Sequence, residues 1–514
     1  MAANEPDPLT SELPADGSEI RATKMSVRGA ALLAMVSQMG AFTIQFAASV
    51  ILARWFIDPD ELGLFTIAFS FVSLLAVLQE FGITRYVNGE KDLSDGKIRT
   101  AFTVSITISW AIAIVCVALA WPVSTFYEMP ELLPLMLVIA ASYFFVPLAI
   151  VPMALAHRKL DFVSNTMTEN GVVLANAVVA ITLAWKGYGA MALAWGAFAQ
   201  QVARMVISQW RVGFIMPFPP RYAGAMPILK FGGFNTVLSG LYQAGVRLPE
   251  LLIGRLLDTA ALGLFTRAFG LAAQLRLLVS GALASVFYPA FARLRDRGDA
   301  IGPQYERVTA SYCAITWPAM AGLAACAVPI VSMLYGERWM GAARPLEWIA
   351  ISQLLFIALP LHIDLPILLG RMKPLVWRCA WDTLASITLL VIGAWFSLEA
   401  AAASRVAYGV AWMAIHAPFL HRTVGFGWNA MLRIWAQSLL VTGLAVLPVW
   451  LSYLYWAPSS EAGFAQLLVA VGAGISLWLI GLRQIRHPAY GEIHGYASSA
   501  LDRLGWRHWI PAPR

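Results

Sequence analysis

Charge is what this 514-residue chain has little of. Asp, Glu, Lys and Arg together make up 13% of it, against 59% hydrophobic residues and a mean hydropathy of +0.68. A soluble globular domain carries about twice that share of charge, so the composition excludes one and points to an all-α polytopic membrane protein. Cysteine is scarce too. Cys116, Cys313, Cys326 and Cys379 fall in or beside apolar segments without metal-ligand spacing, and read as small buried hydrophobes. There is no glycine-rich phosphate loop, no HExxH and no Cys/His cluster. No long external loop gathers Asp, Glu, His or Arg, as membrane glycosyltransferases and ligases usually require. Neither catalysis, a cofactor nor a bound metal is expected. The formal charge of +7 does not call for nucleic acid, because the basic residues sit at the ends of apolar segments. Residues 1–25 carry Glu5, Asp7, Glu12, Asp16 and Glu19 without an apolar run; they lack the features of a leader and read as a disordered cytoplasmic tail.

Long apolar runs are abundant. A helix needs roughly twenty apolar residues to cross a bilayer, and fourteen segments qualify: 29–53, 62–83, 100–122, 132–156, 167–185, 188–210, 229–254, 261–288, 309–335, 344–369, 375–396, 399–420, 431–455 and 464–482. With the N-terminus in the cytoplasm, 27 of the 36 Lys and Arg residues fall on cytoplasmic segments and helix ends. Five fall outside (Arg54, Lys186, Arg255, Arg338, Arg344), and Arg247, Arg267, Arg276 and Arg405 lie in span interiors. The positive-inside rule therefore places both termini in the cytoplasm. Arg293/Arg295/Arg297, Arg371/Lys373/Arg378 and Arg483/Arg486 act first as topology determinants, with membrane-lipid headgroups as a second use.

The chain also repeats itself. Leu62-Gly63-Leu64-Phe65-Thr66 recurs as Leu262-Gly263-Leu264-Phe265-Thr266, and Ala68-Phe69 as Ala268-Phe269, at an offset of 200. Pro122 with Phe126-Tyr127 is echoed by Pro329 with Leu334-Tyr335, Pro147/Pro152 by Pro360/Pro366, and Ala194-Trp195-Gly196 by Ala407-Tyr408-Gly409. Parallel apolar halves of this kind indicate a transporter made by duplication. The expected organisation is a six-helix bundle over 26–212, a cytoplasmic linker over 213–226 and a second six-helix bundle over 227–422. Two additional helices over 423–482 and a basic cytoplasmic tail over 483–514 complete it.

Charged groups in the bilayer interior cost about 2.5–3.5 kcal/mol each on insertion scales, so each one asks for a reason. In span seven, Ser239, Gln243 and Arg247 recur every four residues, and Glu250 joins them beside Pro249. They could line a substrate path, or Arg247 and Glu250 could pair between packed helices. Span eight adds Arg267 and Gln274 on one side and Arg276 on the other; span one adds Gln38 and Gln45, seven apart. Glu80 reads as interfacial. Span ten holds Pro360-Leu361-His362-Ile363-Asp364-Leu365-Pro366, twice interrupted, with two ionisable groups between the breaks. Interruptions at matching places in two halves point to a mid-membrane site. His362 and Asp364 are candidates for coupling to protons, or form a structural pair at a kink.

Arg28-Gly29-Ala30, Ile51-Leu52-Ala53-Arg54-Trp55-Phe56 with Glu61-Leu62-Gly63-Leu64-Phe65, and Gln79-Glu80-Phe81-Gly82-Ile83 resemble the start of Wzx-like polysaccharide transporters. Leu334-Tyr335-Gly336-Glu337-Arg338-Trp339, then Pro345-Leu346-Glu347-Trp348-Ile349, resemble a later part of the same family. It belongs to the multidrug/oligosaccharidyl-lipid/polysaccharide exporter superfamily. The resemblance covers about residues 26–425 and implies a flippase of the bacterial inner membrane. Its cargo would be a polyprenyl-diphosphate-linked oligosaccharide, with a polysaccharide polymerase and a chain-length regulator as possible partners. Such a headgroup calls for arginines at the diphosphate, with Arg247, Arg276 and Arg54 the candidates, and for Gln, Asn, Trp and Tyr at the sugars. Cation-coupled drug or other lipid exporters of the superfamily are the alternative, along with a membrane glycan polymerase or ligase from another class. The basic excess inside the membrane and the short external loops disfavour them. Topology is testable by labelling. Ser94→Cys and Arg295→Cys should react with an impermeant thiol reagent only from the cytoplasmic side, and Ser459→Cys only from outside. Outside reaction at Ser94→Cys would reverse the orientation.

Overall fold

The computed structural model describes residues 27–80, 83–90, 93–159, 161–213 and 219–491. The expected tail at 1–25, positions 214–218 of the linker, the chain beyond 491 and the side chain of Glu80 lie outside the described residues. Among those described, the chain is helical and has no strand. The first half comprises α1 (Val27–Ile51) with a π turn at Leu52–Phe56, α2 (Pro59–Ala76) with a 3-10 turn at Val77–Glu80, α3 (Ile83–Gly89), α4 (Asp95–Tyr127), α5 (Leu132–Ser142), α6 (Pro147–Arg158), α7 (Phe162–Trp185) and α8 (Ala190–Val212). The second comprises α9 (Ala225–Leu256), α10 (Thr259–Arg297), α11 (Gly302–Ala325), α12 (Ala327–Tyr335), a 3-10 turn at Glu337–Ala342, α13 (Ala343–Ile357), α14 (Asp364–Leu368), α15 (Met372–Ala394) and α16 (Leu398–Val424). Then come α17 (Trp428–Tyr455) and α18 (Phe464–Gln484).

Each expected span has a helical counterpart. Eight helices are long and apolar enough alone to cross a membrane, and ten spans result if two bent pairs each count as one. The remaining helices bring Arg204, Gln243, Gln353 and Arg405, among others, to the cavity described below. Both proline-marked interruptions are present. α5 and α6 meet at 43°, with Pro147 opening α6, and α13 stops at Ile357 with helix resuming only at Asp364. Span nine differs from the expectation of one continuous helix: α11 and α12 are bent by 73° at Cys326. Pro329 lies in the first turn of α12, where its missing N–H and its ring leave no regular continuation from α11.

The halves meet where α2 crosses α10. A Cβ on Gly63 would stand 1.8 Å from the Thr259 carbonyl oxygen, and one on Gly263 would stand 1.9 Å from that of Pro59. Pro59 and Thr259, like Gly63 and Gly263, are 200 positions apart, so the two contacts exchange under the repeat. An approximate two-fold axis must pass between them. Matching caps start both helices. Asp58 and Glu61 form a reciprocal capping box on α2, and Asp258 Oδ1 accepts from Ala261 N at 2.6 Å on α10; each cap is worth about 1 kcal/mol. Elsewhere α17 packs on α11 and α18 on α17, tied by Trp478 Nε1 donating to Ala314 O at 2.8 Å and Tyr453 OH to Ala325 O at 3.0 Å. Just past α18, burial pushes the His487 imidazole down to about 4.

Adding a methyl group at the crossing should force the helices apart, at about 1–3 kcal/mol. Gly63→Ala and Gly263→Ala should each lower the unfolding temperature of the purified protein. Gly270→Ala, on α10 with nothing within 4 Å of its new Cβ, should not. Equal stability of all three would contradict the backbone contact.

Candidate functional site

A cavity of about 990 Å³ lies between the halves, near the upper limit of ordinary ligand sites. Its first-half wall brings Gln79 from the turn after α2, Tyr143 from the α5–α6 bend, His157 from α6, and Gln201 and Arg204 from α8. Its second-half wall brings Ser239 and Gln243 from α9, Arg276 from α10 and Gln353 from α13. His362 and Asp364 at the α13–α14 break complete it, with Asp382 on α15 and Arg405, Tyr408, Trp412 and His416 on α16. The break is what admits His362: with no helix between Ile357 and Asp364, and Leu361 at φ 54°, the chain turns its polar segment inward. Aromatic rings frame it, with His362 4.8 Å from Trp412 and 5.3 Å from His416.

The sequence candidates divide among four places. Ser239, Gln243, Arg276, His362 and Asp364 line the cavity. Arg247 does not share that wall. Successive steps of four residues rotate by about 40° each, so Arg247 has turned about 80° from Ser239 and meets α2 instead. Its Nη1 donates to Glu250 Oε2 at 2.9 Å, Glu250 also accepts from Ser70 Oγ, and the guanidinium lies 5.1 Å over the Phe69 ring. Arg54 and Arg267 lie at the end of the molecule bearing Asp58 and Trp339. Gln38 and Gln45 sit on exposed positions of α1 and Gln274 is half-buried on α10, none of them on the cavity wall.

That end is tightly joined. Arg54 Nη1 donates to Met333 O, Arg338 Nη1 to Asp58 Oδ1 at 2.9 Å, and Thr259 Oγ1 to Asp60 Oδ1 at 2.8 Å. Arg267 donates to Ser49 Oγ and stacks 4.9 and 4.8 Å from the rings of Tyr335 and Trp339. The fully buried Trp339 donates its Nε1 to Ala53 O at 2.8 Å. The π turn makes that acceptor available. Ile57 N reaches back five residues to Leu52 O, where an α-helix would have sent it to Ala53, and Asp58 N turns to Glu61 Oε2.

With this geometry in view, comparison with known proteins is informative. Residues 51–344 match the family model described as polysaccharide biosynthesis protein, more than half of the chain. The chain belongs to that family. The lipopolysaccharide biosynthesis protein WzxC of Escherichia coli (strain K12) is 22% identical over 59% of this chain and 62% of its own length, so the chain spans less than two thirds of that relative. The succinoglycan biosynthesis transport protein ExoT of Rhizobium meliloti (strain 1021) is 23% identical over 70% of this chain and 73% of its own length. Among solved structures, the lipid II flippase MurJ in an inward closed conformation shares the fold, with a TM-score of 0.70 and 14% identity over 88% of this chain and 98% of that one. The resemblance to Wzx-like transporters carried by the motifs near Leu62 and Trp339 therefore holds, within an all-helical multi-pass membrane protein.

The cavity also has groups that reading the sequence for site residues passed over. Asp382 and His416 stand inside the expected spans 375–396 and 399–420, and an ionisable residue in a span is a sufficient signal by itself. Arg204, whose Nη1 is 3.3 Å from Glu169 Oε1, was masked by its place near a helix end expected to face the cytoplasm, and His157 by its basic neighbours Arg158 and Lys159.

The Arg247–Glu250 pair makes a stability prediction. Arg247→Ala leaves a largely buried carboxylate unpaired and should cost about 3–5 kcal/mol. Removing both charges, in Arg247→Ala with Glu250→Ala, should recover part of that loss in thermal unfolding. A double variant no more stable than the single one would show that the pairing is not what matters.

Proposed function

We propose that this protein flips a polyprenyl-diphosphate-linked oligosaccharide across the bacterial inner membrane by alternating access, supplying exopolysaccharide or lipopolysaccharide assembly. It does so as a transporter and not as an enzyme, with both termini in the cytoplasm. The observation that carries this reading is the cavity, which is large, carries arginines on both walls, Arg204 on one and Arg276 and Arg405 on the other, and lies below an end where the halves are fastened together. Family membership and the names of relatives in glycan assembly support it. The names of two relatives in lipopolysaccharide and succinoglycan biosynthesis agree with a glycan cargo.

Physical chemistry assigns the parts. Arg276 on the cavity wall, beside His362, attracts the diphosphate, since a planar guanidinium matches phosphate oxygens in a bidentate manner. Gln79, Gln201, Gln243 and Gln353 offer amides to sugar hydroxyls, and Tyr143, Tyr408 and Trp412 offer ring faces. Arg247 acts through its pair with Glu250, holding α9 against α2. Arg54 and Arg267 belong to the joined end, which must release for the cargo to leave. Alternation then consists of parting that end while the cavity closes opposite. A polysaccharide polymerase and chain-length regulator would act on the delivered product.

Arg276 provides the test. A semi-buried charge-assisted contact is worth about 1.5–3 kcal/mol, so Arg276→Ala should weaken cargo binding about ten- to hundredfold. Arg276→Lys should rescue in part, keeping charge without the fork. Glycan export is measured in cells with matched protein levels. Full export by Arg276→Ala would move the anion site elsewhere on the wall.

A further inference from the structure

One cluster on the second-half wall has no part in cargo binding as described above. Nε2 of His416 on α16 lies 3.6 Å from Oδ2 of Asp382 on α15, beyond hydrogen-bonding distance. The imidazole is only 1% exposed, while the carboxylate is 18% exposed. Among the described residues neither ring nitrogen of His416 has a hydrogen-bond partner, and Asp382 Oδ1 has none either. An unsatisfied buried polar atom costs about 1–3 kcal/mol, and three gathered in one place ask for an explanation.

The surrounding charges narrow what the cluster can take. On α16, Arg405 donates from Nη1 to Ser386 Oγ at 3.0 Å and lies 4.6 Å over the Tyr408 ring; both Arg405 and Tyr408 face Asp382. On α15, Cys379 lies beside Asp382, and Arg378 is stacked 4.2 Å over Phe419. His362 and Asp364 reach in from the α13–α14 break, and Arg276 from α10. On α9 the charges of Arg247 and Glu250 answer each other. At the joined end, Glu347 of α13 is paired with Arg344, and Arg267 of α10 is held by Ser49. No three His, Cys, Asp or Glu side chains among the described residues converge as metal ligands, and the Arg405 guanidinium disfavours a metal ion at Asp382. A proton needs no coordination shell. It needs one basic nitrogen and one carboxylate to balance the charge it brings.

We propose that His416 and Asp382 form a proton-binding site whose loading and unloading drives the transport cycle, an inference that rests on the transport reading above. On loading, a proton from water in the cavity forms an N–H bond at a ring nitrogen of His416. The imidazolium is then neutralised by the Asp382 carboxylate, and the attraction closes the 3.6 Å between His416 Nε2 and Asp382 Oδ2, drawing α15 and α16 together. On unloading the proton returns to water on the other side. The ring is again neutral, and Asp382 is left to Arg405 and Tyr408 alone. Asp382 thus stands between a permanent cation and a switchable one, and the switch alters the packing of α15 on α16.

Trp412 supplies an internal probe, its ring centroid being 5.2 Å from that of His416, because an imidazolium quenches a neighbouring indole. In purified protein, tryptophan emission should titrate with pH, and the component absent from Trp412→Phe is the one to follow. His416→Gln should abolish that component, Asp382→Asn should displace it to lower pH, and His362→Gln should retain it. Persistence in His416→Gln, or loss in His362→Gln alone, would overturn the site. In cells with matched protein levels, His416→Gln and Asp382→Asn should lose export together with its dependence on external pH, and Asp382→Glu should keep both. Full, pH-dependent export by His416→Gln would overturn the coupling role even where the titration is lost. Normal export after deletion of the whole gene would instead defeat the transport reading and leave the emission titration standing as it was measured.

Discussion

At Gly63 and Gly263 the carbonyls of Thr259 and Pro59 occupy the space where a Cβ would stand, so α2 and α10 meet backbone to backbone. Close approach of this kind is how helices associate where lipid supplies no hydrophobic drive between them. Much follows from it. It brings the N-terminal caps of the two helices side by side, letting Thr259 reach Asp60 and Arg338 reach Asp58. It also sets the spacing at which Trp339 can enter between Ala53 and Arg267. The cavity begins below this crossing, where α2 and α10 no longer need to touch.

The two ends of the interface use their arginines differently. At the joined end Arg267 is consumed by protein partners, a hydroxyl and two aromatic rings. Arg247, one stage further in, is consumed by Glu250. Arg276 stands on the cavity wall. The cavity's acids are placed differently too: Asp364 stands in the first turn after the break in the tenth span, while Asp382 looks across at α16. Charge in the membrane-spanning region is therefore matched within the protein or set on the cavity wall, as its cost in lipid demands.

Much of this was legible in the sequence, for reasons that differ by residue. The helices announce themselves through apolar length, and the pairing of halves through Leu62–Thr66 and Leu262–Thr266. The breaks at Pro147 and Pro360 were visible because proline acts locally. Arg276, Gln243 and His362 could be nominated as polar exceptions in apolar spans. Whether a polar residue faces a cavity or a neighbouring helix could not be read, since that depends on about 40° of rotation per four residues and on which helix lies opposite. Arg247 and Gln243, four residues apart, part company for that reason. The kink at Cys326 was missed because Pro329, equivalent in the repeat to Pro122, breaks its helix whereas Pro122 stays inside the continuous α4. The same residue in the same register had two outcomes, and only packing distinguishes them.

The π turn at Leu52–Phe56 gives the joined end an uneven exposure to mutation. Two of its bonds across the halves end on the main-chain oxygens of Ala53 and Met333, and an amide oxygen is present whatever side chain is attached. Substitution can erase the indole of Trp339 or the guanidinium of Arg54, but it cannot delete what they hold. All the genetic fragility of these two links therefore resides in the donors, and adjusting how firmly the halves clasp takes only a change of donor.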